Sequence, residues 1–580
     1  MNNRIIDSLL RDYLDDFGIK EKSETVAFEY FCNYCMFTHN TPDAYSSDNF
    51  LYQDVHTGEG GDNAIDGILI MIDDEIITTI EQAKEIIERN KKFDARFLFV
   101  QAKTSSSFDS GDMFKFGFGV RDFFSQKKLN ANNKILRYKR ISDYIFDHSI
   151  LMKSNPSCHL YYVTTGKWQD DANLLNVKIN IETALSDTNL FNEAKFIPID
   201  AARLISVYKE IKNSITREIV IEKHVAYPSD IRLVEKAYLG LVKFEEYLKL
   251  ITDEDGLLQL GLFYDNVRSY LGDNPVNKEI SSTLENQSKQ VQFPILNNGI
   301  TIVTKNLNVS GDKFTMTDYQ IVNGCQTTNV LYKLRNRISH DMMIPVKIVN
   351  TTDSELINDV IRSTNRQTQV LDEAFESLKV FHKQLQDYYN TYKNPDKIYY
   401  ERRSHEYDAE CVKRTNIVTL PIQLLSVISM FFEEPHSVHR YYGELLRSYA
   451  NRVFQPDHQL IMYYTSAWTL HQIEKAIKDK EIDVKWRPYR YHLLFLFQSY
   501  IRQLKKMKNM PRFNSNEMER LCKDILKTVD DKKMIGPVLR HLTGILENAL
   551  VQTHKDSGGN EPTRRKEFTL IALQEMEQRA

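Results

Sequence analysis

Apolar residues recur at helical spacing at the start of the chain and at strand spacing soon after. Ile5, Ile6, Leu9, Leu10, Tyr13, Leu14 and Phe17 fall three or four apart and predict a helix over 4–17, ended by Gly18. A second helix starts from Ser23, whose hydroxyl suits an N-cap, and carries Val26, Phe28, Phe31, Tyr34 and Cys35. Residues 39–62 are polar and read as a loop. Then the period shortens. Residues 64–72 and 97–100 are compact apolar runs bounded by polar or glycine-rich sequence, the mark of buried strands. Between them, residues 79–92 predict a helix with Ile80, Ala83 and Ile87 inward. Residues 159–166 and 196–200 predict two more strands, and 201–213 a helix. These elements make a mixed α/β domain over 1–215, with insertions at 73–95 and 125–157.

A second α/β region follows over 216–405. Asn297-Asn298-Gly299 predicts a turn between two β-like segments, because Asn and Gly tolerate positive φ. Val322-Asn323-Gly324 closes a strand, and Gln326-Thr327-Thr328 opens a helix with Val330, Leu331 and Leu334 on its apolar face. From 406 to 580 the pattern is helical: 420–432, 460–477, 489–507, 519–529 and 535–550 all show the helical period, and 553–565 reads as a loose linker. The expected architecture is therefore three domains, 1–215, 216–405 and 406–580, the last all-α.

Composition narrows the classes. At about 150 residues per domain, 580 residues suit three to four domains. The net charge of −4 excludes a globally basic chain, so contact with nucleic acid must come from local patches. The longest greasy stretch, 417–432, contains Thr419, Pro421, Gln423, Ser426 and Ser429, and falls short of the ~20 apolar residues of a membrane span. The opening residues run straight into a charged amphipathic pattern, so a cytoplasmic location is expected, with no membrane partner. Cys32 and Cys35 form a lone CxxC inside a helical apolar pattern and read as buried thiols. No GxxxxGK[ST], GxSxG or HExxH is present, which argues against the motors and hydrolases that carry those motifs.

Candidate chemistry enters at the end of the 97–103 strand. Side chains alternate on a strand, so Gln101 and Lys103 project to the same side. The preceding strand carries Asp66 at its start, and pairing the two brings Asp66 beside Gln101 and Lys103. A carboxylate and an amide oxygen suit a hard cation such as Mg²⁺ (or Mn²⁺), and an ammonium can orient a nucleophilic water or offset developing charge. The arrangement resembles the PD-(D/E)xK nuclease superfamily in its Mrr-like form, where Gln replaces the second acid. The resemblance implies a metal-dependent endonuclease with a restriction-endonuclease-like fold, with DNA ahead of RNA as the nucleic-acid partner and the choice between them left open. It also implies a further Glu from the first helices, for which Glu29 is the candidate. Glu29 lies among aromatics and reads equally as a surface residue with a buried stem. The plainer alternative is that Asp66 caps a turn while Gln101 and Lys103 sit on a solvated strand. An aromatic block, Phe114, Phe116, Phe118, Phe123 and Phe124 with Lys115 and Arg121, reads either as core or as a stacking surface for nucleic acid.

The second region carries its own resemblance. Residues 263–272, 277–284, 293–302, 320–328, 344–348, 363–368 and 399–403, in that order, resemble the abortive infection phage resistance (AIPR) family of bacterial defence proteins, over about 257–405. The resemblance implies a part in defence against phage. The strand–turn–helix at Asn323 to Thr328 is also faintly similar to DGQHR-type and ParB-like folds. Such a turn can hold a phosphate on backbone N–H groups. Asn297, Asn298, Asn323, Gly324, Gln326 and Thr327, with Arg362, Asn365 and Arg366, are the candidate ligand-binding residues. The same Asn, Gln and Thr side chains can equally cap helices and satisfy turns. Lys505, Lys506, Lys508 and Arg502 form a basic cluster, most simply a solvated helix face. Three functions remain open: a metal-dependent antiphage endonuclease, possible as a homodimer; a non-catalytic nucleic-acid or nucleotide sensor with a degenerate nuclease domain; and a nucleotide hydrolase centred on Asn323 to Thr328.

Overall fold

The computed structural model describes residues 3–578 except 22, 42–44, 46–47, 74, 126–128, 170, 213–215, 253–255, 257, 264–274, 354–355, 358, 361–362, 364–379, 394–396, 403–405, 408–411, 440–441 and 554–561. The chain forms two compact units. The first takes 1–11, 22–45 and 50–374; the second takes 12–21, 46–49 and 375–580.

The N-terminal helices form as their periodicity requires: α1 is Arg4–Asp16 and α2 is Glu24–Asn40, with Ser23 Oγ capping the amide of Val26. After a single turn, α3 (Leu51–Val55), the first unit builds a five-stranded sheet. Its strands are β1 (Gly67–Ile72), β2 (Glu75–Ile77), β3 (Ala95–Lys103), β4 (Ser157–Thr164) and β5 (Glu193–Ile199), ordered β2-β1-β3-β4-β5. β1 runs antiparallel to β2 and β3, while β3, β4 and β5 are parallel. The parallel strands need crossovers, supplied by α5 (Ser110–Phe123) and α6 (Asn133–Asp147), and by α7 (Ala172–Ser186). With α4 (Ile80–Asn90), whose start Thr79 and Gln82 close as a capping box, these helices bury Ile68, Ile70, Phe97, Phe99, Phe116, Phe123 and Tyr138 on one face. α2 and α8 (Ala201–Lys212) lie together by the opposite face. Segments 73–95 and 125–157, expected as insertions, thus contribute β2, α4 and α6 to the sheet and its core.

β1 begins at Gly67, three residues later than the apolar run predicts. Asn63 and Ala64 have φ of +54° and +61°, and Asp62 Oδ1 accepts from the Ala64 amide at 2.8 Å. This turn must close before the strand can extend.

A second sheet in the first unit has β6 (Thr216–Val220), β7 (Lys223–Ala226), β8 (Lys236–Lys243), β9 (Ile300–Ser310), β10 (Lys313–Asn323) and β11 (Met343–Asn350), ordered β6-β10-β9-β11-β8-β7. Only the β9–β11 pair is parallel. Helix α9 (Phe244–Ile251) and a helix over Cys325–Lys333 help cover it. The segment before Asn297 is not β-like: Phe293–Leu296 makes a helical turn with Pro294 near its start, where a missing N–H costs nothing.

The second unit is mostly helical among the described residues. Helices Leu420–Phe431, Leu460–Lys478 and Arg490–Leu504 are buried nearly all round. Asn516–Asp530 and Ile535–Thr553 are amphipathic, and Tyr399–Glu401 pairs in parallel with Ile417–Thr419. The polar residues of the 417–432 stretch are used inside. Gln423 Nε2 donates to the Tyr463 carbonyl at 3.0 Å, Gln423 Oε1 accepts from Tyr389 at 2.5 Å, and Ser426 meets Ser466 at 3.1 Å. Among the described residues no helix is long and apolar enough to cross a membrane. The expected linker after Thr553 lies partly outside the described residues. It ends in a 3₁₀ turn at Pro562–Arg564 with Thr563 buried, and then in a helix, Lys566–Gln578, that periodicity did not single out.

Candidate functional site

Asp66 is fastened to β3 on both sides of Gln101. Its amide donates to the Val100 carbonyl at 2.9 Å, and its Oδ2 accepts from the Ala102 amide at 2.8 Å. Its carbonyl receives the Thr57 amide at 3.0 Å and Asn33 Nδ2 of α2 at 3.1 Å. With Gly67 opposite Val100, Asp66 falls opposite Gln101. The expected juxtaposition of Asp66 with Gln101 and Lys103 is therefore present.

Glu29 enters from α2 and is only 8% exposed. Its Oε2 pairs with His56 Nε2 at 2.6 Å. Gly58 marks where the groups converge: a β-carbon there would stand 2.4 Å from Glu29 Oε2, 2.9 Å from His56 Nε2 and 3.1 Å from Asp66 Oδ1. The bare glycine is what lets the two carboxyl groups face one space. Burial pushes the Glu29 carboxyl up to about 7, aided by the charge of Asp62, while the ammonium groups of Lys103 and Lys134 oppose the rise. Burial, then the charge of Glu29, pushes Asp66 up to about 8 against the pull of the Ala102 amide and Lys103. Asp62 is raised as well, chiefly by burial. Two buried acids raised chiefly by desolvation, Asp66 also by Glu29 and both by Asp62, make a place where a cation is favoured.

Gln101 is 2% exposed, and its Oε1 has no hydrogen-bond partner among the described residues. A buried amide oxygen left unbonded costs free energy unless something else meets it. Among the described residues no three His, Cys, Asp or Glu side chains stand close enough to hold a metal ion by themselves. A cation here would need a mixed donor set, and the unbonded amide oxygen beside the Asp66 carboxylate suits a hard cation of the Mg²⁺ type.

Three groups of this site escaped the sequence reading. His56 is 2% exposed, lies edge-on to Tyr30 with centroids 4.7 Å apart, and bridges to Gly67. Asp62 caps the turn before β1. Lys134 at the start of α6 pairs with Glu59 at 2.8 Å. The one local signal was the run Gly58-Glu59-Gly60-Gly61, which permits a close approach without naming its partners.

The central candidates form a different kind of place. Gly324 has φ +101° and precedes α10 (Cys325–Lys333), and a β-carbon there would meet Ile300 Cγ1 at 2.8 Å. Its glycine is thus demanded by backbone and packing. Asn297 Nδ2 donates to Thr327 Oγ1 at 3.3 Å, and Asn297 Oδ1 accepts from the Gly299 amide at 3.0 Å. Asn277 Nδ2 donates to Gln326 Oε1 at 2.9 Å. Asn323 ends β10 opposite Thr301, and Asn298 is exposed. The structure gathers Asn297, Gly324, Gln326 and Thr327 around one helix start, with Asn297 tied to Thr327 and Gln326 tied to Asn277. Arg362, Asn365 and Arg366 lie outside the described residues. Cys32 and Cys35 are buried free thiols, and Lys505 pairs with Asp524 at 2.8 Å on an exposed face.

A family model described as AIPR protein matches residues 263–553, running well past residue 405 through the buried helices of the second unit. No curated protein and no solved structure matches the chain.

Proposed function

The chain belongs to the AIPR family, and from that premise we propose that it is a divalent-metal-dependent nuclease hydrolysing phosphodiester bonds, with Asp66, Gln101, Lys103 and Glu29 as its active site. Family membership suggests a role in antiphage abortive infection; the chemistry is our reading. One observation carries it. The buried Gln101 Oε1 is unbonded on the same short stretch of β3 that holds the Asp66 carboxylate, two residues from Lys103.

Asp66 and Gln101 would hold Mg²⁺ or Mn²⁺, with Glu29 completing the acidic side. Such an ion supplies Lewis-acid polarisation of the phosphoryl group and a more acidic water. The protein's own groups do the rest. The Ala102 amide fixes Asp66 in rotation. His56 holds Glu29 by its Oε2, so that carboxylate stands as a proton acceptor beside the site. Lys103, attracted by Glu29, Asp62 and Asp66 together, places positive charge where the pentavalent phosphoryl group becomes more anionic.

The test is cleavage of plasmid and oligonucleotide substrates with Mg²⁺, with Mn²⁺ and with chelator. We expect metal-dependent cleavage, lost in Asp66→Asn and reduced ~10²–10³-fold in Lys103→Ala with an unchanged melting temperature, since Lys103 is only half-buried. Metal-independent cleavage, or full activity in folded Lys103→Ala, would sink the assignment. A wild-type protein that binds strands tightly and cuts nothing would leave the non-catalytic sensor.

A further inference from the structure

Helix α5 follows directly on the strand that ends at Lys103, by way of the exposed Ser105-Ser106-Ser107. Its inner face is core, with Met113, Phe116, Val120 and Phe123 fully buried. Gly119 packs straight onto the Asn63 carbonyl, so α5 is seated on the turn between Asp62 and Asp66. The aromatic block read in the sequence is therefore split by the helix: part is core, and part faces water.

The outward part has a specific make-up. Phe114 and Phe118, one turn apart, are 55% and 50% exposed. The Arg121 guanidinium lies 5.1 Å from the Phe118 ring centroid. The other exposed positions of the helix are Ser110, Gly111 and Lys115; the acids beside them are the exposed N-cap Asp109 and the half-buried Asp112 and Asp122. Lys115 meets the half-buried Asp112 at 3.0 Å, and among the described residues no carboxylate pairs with Arg121. Two rings left in water are unfavourable for a lone protein. As a seat for another protein they are sparse, two rings among small residues, with Arg121 beside them and Lys115 shared with Asp112. For a nucleic-acid strand the set is complementary: ring faces for bases, Arg121 and Lys115 for phosphates, and small residues that let a backbone come near.

We propose that Phe114 and Phe118 form a stacking platform for unpaired bases, and that the substrate of the nuclease proposed above is a strand with single-stranded character, led along α5 towards Asp66, Gln101 and Lys103. A duplex keeps its base faces inside its own stack and offers a ring nothing to stack on. This inference rests on the nuclease reading for its substrate, and its own measurement is binding.

The experiment is fluorescence anisotropy in chelator, where nothing is cut, with a labelled mixed-sequence single strand and the matching duplex. The proteins are wild type, Phe114→Ser, Phe118→Ser, the double variant and Arg121→Gln. Both rings are exposed, so melting temperatures should not fall. Single-strand affinity should drop about tenfold for each ring removed, with duplex affinity unchanged. Arg121→Gln should weaken both ligands and flatten the salt dependence by about 0.7–0.9 in log–log slope. Unchanged single-strand affinity in the double variant would overturn the platform, and so would an equal loss for both ligands. If the double variant instead turns an oligomer into a monomer with strand binding intact, the face belongs to a second copy and the proposal fails. No binding of either ligand by wild type would overturn the nuclease reading itself, a result separate from all of these.

Discussion

Asp66 and Glu29 sit at about 8 and about 7, well above ordinary carboxyl groups, and that has a consequence for stability. A carboxyl raised on folding contributes stability that is complete below its unfolded value, near 4, and lost as pH climbs through its folded value. The metal-free protein should therefore lose stability between about pH 4 and pH 8. Asp66→Asn keeps an oxygen for the Ala102 amide and removes the charge, so in chelator it should melt above wild type at about pH 8, by at least ~1 kcal/mol, and level with it only at about pH 3, below the unfolded carboxyl value. Scanning calorimetry at the two pH values checks this; a variant less stable than wild type at both would show that Asp66 is no buried, strained charge. The same residues show what a sequence can carry. Asp66, Gln101 and Lys103 were legible because they stand on apolar runs whose period of two sets their direction. His56 and Asp62 were not, since both lie in a polar loop and find their partners only when that loop closes over α2 and β3.

At the scale of elements, periodicity recovered α1, α2, β1, α4, β3, β4, β5 and α8, missed α3, β2, α5, α6 and α7, and faltered where a local rule overrode it. Pro294 turned a β-like run into a helical turn, and the Asp62 turn delayed β1 to Gly67. The start of α10 is the sharpest instance. Its Asn, Gln and Thr read as an anion cradle, yet in the fold they tie three segments together: Asn277 to Gln326, Asn297 to Thr327, and Tyr247 to Thr328 at 2.6 Å. Thr327→Val should cost about 1 kcal/mol. Gly324→Val should cost more, by forcing a branched side chain to φ +101° against Ile300. Nucleic-acid affinity should be unchanged in both. Chemical denaturation and anisotropy on the same samples separate the outcomes; lost affinity at wild-type stability would restore the cradle.

At the scale of the whole molecule, the chain's order in sequence is not its order in space. The second unit is completed by residues 12–21 and 46–49, far from the rest of it, and no hydrophobic pattern in 375–580 announces that need. Tyr13 and Phe17 are fully buried, their rings 5.1 Å apart. Lys478 Nζ donates to the Phe17 carbonyl at 3.0 Å, the Arg490 guanidinium meets Asp48 at 3.1 Å, and Asn49 reaches buried Glu474 at 3.3 Å. A cut at 375 would strip these from a helical core and leave Lys478, whose pKa burial already lowers, short of a partner. Phe17→Ala in the intact chain is the gentler probe. It should destabilise the second unit by about 3–5 kcal/mol, the usual cost of emptying a buried phenylalanine site. Amide exchange should then quicken through Leu460–Lys478 and Arg490–Leu504, while β1 to β5, in the other unit, keep their protection. Exchange that quickens equally in both units, or in neither, would mean that the N-terminal segment is not part of the second unit's cooperative core.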